Sequence, residues 1–501
     1  MLSIFRNKYF RILIISDIVL FIAGLIYILI FPDFDTDAYA HHCISREIYL
    51  GNTNLSINWV WLPLFHYLQV AMIAFGLTMQ ILRFFNLAIT FIIPLVLFFW
   101  LNKNDEKELP YSESFIASLI CMLFPILILM GTTAQPEPLF CLIILIFAIS
   151  FVEKKYFISS IFLTLAVLWR YEAWILPFLI IGFVLWGYFF KRPDFLKKLQ
   201  SPEPILTTLL PLIAMAIWTV ARHNSDGSWF GFIFVTQGFA NEVLKVSSSF
   251  DSGVLQFIRD VLYYPLIVPY YLAGPLVILA YFGIKRTMQR QHYIWVIFYS
   301  FILLFLTITW IKKSSLGLHR HFNVLVPFYS VLLVNGIPSV SVLIYKIKSR
   351  LRKSIIPYEE QIIRIKKTLV ILLIISQIIV TVIWSIGWLT YTGKLFIERY
   401  QTVNFIKNLP NDKYIFCDEA SVEVLSGLDM HIFNRVWLEN KEAAEMITNA
   451  VKKNNDVYIV TWERKMKRFS GFGEIIFNSV PDYNTKEMLQ VLKVNIKEQI
   501  K

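Results

Sequence analysis

Charge is what this sequence has least of. Asp, Glu, Lys and Arg make up 16% of the 501 residues, where a soluble domain carries about a quarter. That deficit, with a hydrophobic content of 57%, excludes an ordinary water-soluble globule. Cysteine is scarce as well. Cys43, Cys121, Cys141 and Cys417 have no spacing for a metal or redox centre, and two of them, Cys121 and Cys141, fall in apolar runs as plain core residues do. No internal repeat and no low-complexity tract is found, which weighs against the inverted repeats of secondary transporters. The first apolar run, residues 10–31, contains Asp17 and lacks a small-residue cleavage site. It is expected to remain as an uncleaved first helix.

What is abundant is apolar runs near the length of a bilayer crossing, roughly 20 residues. They fall at 10–31, 78–101, 114–130, 139–151, 156–168, 174–190, 205–221, 263–284, 293–311, 323–345 and 368–389. These predict a polytopic α-helical membrane protein with about eleven transmembrane helices. The run at 59–76, WVWLPLFHYLQVAMIAFG, carries Pro63, His66 and early aromatics, and is expected to lie at the membrane interface. Net charge is +12. The basic residues gather in short loops, notably at 346–367, so the excess reads as the positive-inside signal and not as a nucleic-acid surface. Counting from a cytoplasmic N-terminus places the loops at 32–77, 131–138, 169–173 and 222–262, and the tail, outside. Residues 393–501 turn polar. Strand-like runs at 414–417, 457–461 and 474–477 alternate there with helical stretches at 441–451 and 485–500, predicting a small extracytoplasmic α/β domain. The expected division is thus 1–392 and 393–501, with the first outer loop at 32–77.

That loop holds the densest chemistry, FPDFDTDAYAHHCISREIYLG at 31–51. Carboxylates at the mouth of a membrane segment are costly unless they act. Asp35 or Thr36 is placed to cap a helix that Gly51-Asn52 ends. On it Asp35, Tyr39, His42 and Arg46 share a face. A capping role alone is the plain alternative for any one aspartate; with Asp33 and Asp37 beside it, Asp35 is a candidate general base. Glu137, between two prolines, is either a helix-start charge or a second carboxylate. Arg170 and Glu172 in WRYEAW predict a tight turn with a local ion pair. Lys312, Lys313, His319, Arg320 and His321 break the charge bias and are candidates to hold a lipid-linked phosphate, against simple snorkelling. His41, His42 and His66 raise a divalent metal, but their spacing matches no metal motif, and no metal ligand is assigned.

DTDAYAHHCISREIYLGN followed by WVWLPLFHYL resembles the first outer loop of polyprenyl-phosphate-sugar-dependent glycosyltransferases of the C-type membrane fold. The nearest branch is that of the protein O-mannosyltransferases and the lipid A aminoarabinose transferase. Asp35, Tyr39, Arg46, Glu47, Gly51, Trp61, Pro63 and Leu64 occupy the places of that pattern. Glu137 opens a later span, and His319–Pro327 stands where an Arg-Tyr…Pro landmark is usual, with Phe322 departing from it. The resemblance covers roughly residues 10–336; the eukaryotic β-trefoil insert is absent, which weighs against a protein acceptor. It implies inverting transfer from a polyprenyl-phosphate sugar to a glycan, lipid or protein acceptor at the outer face. Asp35 (or Asp37) would be the base, Glu137 a second carboxylate, and Arg320 with Lys312 or Lys313 the cations for the leaving phosphate. Tyr39, His42, Arg46, Arg170 and His321 would bind substrate. A multi-pass plasma membrane, prokaryotic in style, is the expected location, with the endoplasmic reticulum and a lumenal site as the alternative. A lipid-linked sugar flippase, or a polysaccharide ligase or polymerase, are the rival functions.

Overall fold

The computed structural model describes residues 7–103, 112–189, 203–229, 231, 234–238, 253–289, 293–351, 357–392, 396–434, 441–453, 456–483 and 485–495. The basic loop residues Lys191, Arg192, Lys197, Lys198, Arg290, Arg352 and Lys353, part of the positive-inside pattern, lie outside them, as does much of the loop at 222–262. The chain divides into two compact units. One comprises residues 1–30, 53–68 and 78–385; the other joins 31–52 and 69–77 to 386–501.

The first unit is helical. Among the described residues seven helices are long and apolar enough to cross a membrane, and up to eight if a bent pair counts as one. Three further apolar runs fold as shorter helices, Glu137–Val152, Tyr156–Trp169 and Tyr171–Leu185. All eleven expected runs are therefore helical, but these three fall short of the roughly 20 residues that cross by themselves. Pro63–Ala74 is also helical and has 12 residues, too few to cross.

The bent pair is Glu113–Met122 and Pro125–Gly131, broken by 55°. Pro125 supplies no N–H to continue the first helix. The carbonyl of Leu123 freed at the break accepts from Gln377 Nε2 at 3.2 Å and from the Thr381 hydroxyl. Irregular backbone in an apolar medium persists only where such partners exist. Elsewhere small residues let helices touch. A Cβ on Gly283 would meet the carbonyl of Leu332, and one on Gly336 that of Leu279. Helices Ile278–Gln289 and Val326–Leu351 thus pack backbone to backbone, as glycine permits in membranes.

The second unit contains a five-stranded sheet: β1 (Lys413–Cys417), β2 (Phe433–Asn434), β3 (Asp456–Trp462), β4 (Gly473–Pro481) and β5 (Met488–Val494), in the order β2-β1-β3-β5-β4. β1 is parallel to β2 and β3; β5 is antiparallel to β3 and β4. Strand periodicity sends successive side chains to opposite faces. Phe416, Val457, Ile459, Leu492 and Val494 build one core with helix Lys441–Lys453. Ile415, Cys417, Tyr458, Val460, Leu489 and Val491 build the other with helices Ile397–Lys407 and Ala420–Ser426. The expected α/β tail is present, with one correction. The stretch 485–500, expected as a helix, contains β5 instead. In MLQVLKV the pairing with β3, from Tyr458↔Lys493 to Trp462↔Leu489, overrides helix propensity.

Candidate active site

In the second unit the acidic segment forms as a capped helix. Asp35 is the N-cap of Thr36–Tyr49, its Oδ1 accepting the amide of Asp37 at 3.0 Å. The amide of Asp35 in turn donates to Asp33 Oδ1 at 3.1 Å. Gly51 follows the helix at φ 96°, a left-handed turn that suits glycine. Asp37 lies in the first helical turn, where the positive end of the helix dipole favours a carboxylate.

The remaining candidates on this helix have partners within the same unit. Tyr39 is buried, and its hydroxyl donates to the Asp33 carbonyl at 2.8 Å. Arg46 is buried in an ion pair with Glu423 at 3.0 Å. Cys43 Sγ donates to Ala420 O at 3.8 Å, so helix Thr36–Tyr49 packs on Ala420–Ser426. Burial first, and then the nearby Arg46 guanidinium, lower the His42 pKa to about 4. His42 is therefore neutral at physiological pH.

The first unit brings the other candidates together. Arg170 ends helix Tyr156–Trp169 in an extended conformation, and Tyr171–Trp174 forms a tight 3-10 turn. Arg170 Nη1 donates to Glu137 Oε1 at 2.8 Å, and its Nε and Nη2 to Glu172 Oε1 at 3.0 and 2.8 Å. Arg320 Nε lies 3.5 Å from Glu137 Oε1. The second oxygen of Glu137, Oε2, is buried with no hydrogen-bond partner among the described residues. His321 Nδ1 is 3.5 Å from the hydroxyl of Tyr264, which also donates to Leu318 O at 3.2 Å. Two carboxylates and two guanidiniums thus meet in one buried cluster, drawn from three separate segments.

The lysines divide. Lys313 bonds Asp260 Oδ2 at 2.6 Å and lies 4.0 Å from the ring centre of Trp310. Lys312 is exposed. Among the described residues no group of three or more His, Cys, Asp or Glu is placed to hold a metal. His66 Nδ1 is 2.6 Å from Asn58 Oδ1.

The loop that presents Glu137 is held by residues the motif reading did not single out. Arg83 Nε donates to Thr132 O at 2.8 Å. Asn86 Nδ2 donates to Thr133 O at 2.8 Å and Gln135 O at 2.7 Å, and Trp169 Nε1 to Pro136 O at 3.0 Å. Arg83, Asn86 and Thr90 recur at three- and four-residue spacing on helix Met79–Asn102, a polar stripe visible in an otherwise apolar run.

No family model and no curated protein matches this sequence. Solved structures do. ArnT from Cupriavidus metallidurans in the apo state is similar over 95% of this chain and 97% of its own, with a TM-score of 0.60 and 10% identity. The same protein bound to undecaprenyl phosphate covers 96% and 97%, with a TM-score of 0.61 and 10% identity. The apo oligosaccharyltransferase of Archaeoglobus fulgidus matches 91% of this chain and 69% of its own, at 0.53 and 14%. Identities this low speak for the architecture alone, and that architecture makes the chain a multi-pass membrane protein with the C-type glycosyltransferase fold.

Proposed function

We propose that the chain is an inverting glycosyltransferase. It moves a sugar from a polyprenyl-phosphate donor to an acceptor at the outer face of the membrane, a glycolipid, glycan or cell-surface molecule. The observation that carries this is the buried cluster of Glu137, Arg170, Glu172 and Arg320 in the helical unit of a C-type fold. Charges within an apolar helical unit are costly and mark function. The resemblance of the first outer loop implies the donor class, and the similar ArnT structure bound to undecaprenyl phosphate supports it.

The chemistry needs few parts. An acceptor oxygen attacks the anomeric carbon while its proton passes to Asp35, with Asp37 the alternative base. The bond between the anomeric carbon and the phosphate oxygen breaks, and the lipid phosphate leaves as an anion. Such a leaving group needs cations rather than an acid, and Arg320 supplies one, with Arg170 and the exposed Lys312. The unpaired oxygen of Glu137 accepts a substrate hydroxyl. Tyr39 and Arg46, engaged with Asp33 and Glu423, act by holding the loop. The lipid tail has a seat in an apolar cavity of about 330 Å³ lined by Tyr281, Tyr299, Leu303, Tyr329 and Leu332. Pro265, also on its wall, follows Tyr264, the partner of His321.

Purified protein offered a panel of radiolabelled polyprenyl-phosphate sugars should release label to an acceptor from one donor. Asp35→Asn should not. Absence of label movement from every donor in the panel would refute the transferase reading.

A further inference from the structure

The second unit contains a cavity of about 630 Å³ that the chemistry above leaves unassigned. That volume is in the range of small-molecule sites, about 300–1,000 Å³. Asp35 and Phe34 form one wall, Trp388 and Tyr391 another, and Arg399 and Trp462 a third. Half of its ten lining residues are aromatic. Phe34 meets Trp388 edge-on with centroids 3.7 Å apart. Trp388 Nε1 is buried with no hydrogen-bond partner among the described residues, a donor that an incoming oxygen would satisfy.

The charges decide what fits. Arg399 is the guanidinium on the wall, and its charge is already matched. It pairs with Glu398, with Glu419 at 3.4 Å and with Asp482 at 3.5 Å. It is also flanked by the rings of Phe396 and Trp462, at 4.6 and 5.2 Å. On the lining itself Asp35 and Asp482 stand against Arg399, two carboxylates to one guanidinium, and Glu398 and Glu419 neutralise Arg399 from behind. A phosphate or carboxylate entering here would meet net negative charge. A ring with hydroxyls on its rim and C–H groups on its faces meets both requirements, since it stacks on aromatics and donates to carboxylates.

We propose that this cavity is the acceptor site and that it takes a neutral or amine-bearing sugar ring, with anionic sugars excluded. The assignment rests on the transferase reading and places the attacking hydroxyl beside Asp35. Trp388 and Tyr391 are its stacking surface, and Trp388 Nε1 donates to a ring or hydroxyl oxygen.

The test is saturation-transfer NMR on the full chain in lipid nanodiscs, with methyl glycosides of neutral hexoses, glucosamine and hexose 1-phosphates as probes. Neutral or amino sugars should give signals at least five-fold stronger than the phosphates. Trp388→Ala and Tyr391→Ala should each weaken sugar binding about ten-fold, while Trp388→Phe keeps the stacking and loses less. Equal or stronger binding of the hexose phosphates overturns the assignment, as does unchanged sugar binding in both alanine variants. The two readings fail separately. Sugar binding that needs Trp388, with no transfer from any polyprenyl-phosphate donor, would sink the transferase and leave the cavity standing. Transfer with acceptor KM unaltered in both alanine variants would do the reverse.

Discussion

Asp35 accepts the amide of Asp37 at the start of its helix, and asparagine caps a helix about as well as aspartate. Asp35→Asn therefore separates the cap from the base. Transfer should drop by roughly 10²–10⁴-fold, the usual worth of a general base, with the thermal midpoint unmoved in a dye-based melt. Asp35→Ala should lose the activity and, in addition, about 1 kcal/mol of stability. His42 gives a pH signature of its own. Its pKa is lowered to about 4 in the fold, from about 6.5 in an unfolded chain. The unfolded state then binds more protons between those values, so this stability term is fully present above about pH 6.5 and is lost as pH falls towards 4. The melting temperature should decline over that window, and His42→Gln should flatten the decline. An identical pH profile in the variant would show that another group is responsible.

Helix Met79–Asn102 acts as a clamp on the loop that presents Glu137. Asn86→Leu leaves the buried carbonyls of Thr133 and Gln135 without their donor. A lost partner of this kind costs about 1–3 kcal/mol for each buried group. The variant should melt several degrees lower, and its transfer activity should fall further than its folded fraction, because Glu137 is no longer held. Glycine spacing makes the second prediction. A methyl group at Gly336 would run into the Leu279 carbonyl, which is backbone and has little room to move. Gly336→Ala should separate helices Ile278–Gln289 and Val326–Leu351 and cut the yield of folded protein in detergent. Gly182→Ala, where a Cβ meets nothing within 4 Å, is the matched control.

Across the molecule, the acidic loop belongs to the same compact unit as the tail. Arg46 and Glu423 are both buried in their ion pair, and removing one partner of a buried pair typically costs about 3–5 kcal/mol. Glu423→Gln should therefore speed amide exchange along Thr36–Tyr49 although the two positions are far apart in sequence; unchanged exchange would show that the pair does not hold the helix. Most of the fold was legible because its signals are local. Run length and apolar content located the helices, short β-rich runs located three strands, and position before a helical run narrowed the cap to Asp35 or Thr36, of which the structure uses Asp35. The failure at β5 came from a strand whose identity depends on β3, a partner outside any short window. In the site, the Arg170–Glu172 pair could be anticipated from a two-residue spacing. The contact of Arg170 and Arg320 with Glu137 could not, nor could the role of Arg83 and Asn86, since helix packing chooses those partners.

Composition and periodicity by themselves determined a membrane-embedded helical chain with an α/β tail, and gathered the acidic loop residues into one short stretch. Beyond the local Arg170–Glu172 pair, tertiary structure alone decided which charges are paired. It matched Arg46 to Glu423 and surrounded Arg399 with carboxylates, and it brought Cys43 to Ala420 across 377 positions. The physical reason is that a helix or strand follows from interactions a few residues long. The partner of a buried charge that lies far off in sequence is fixed by the desolvation of both groups together, which leaves no trace in the spacing of either.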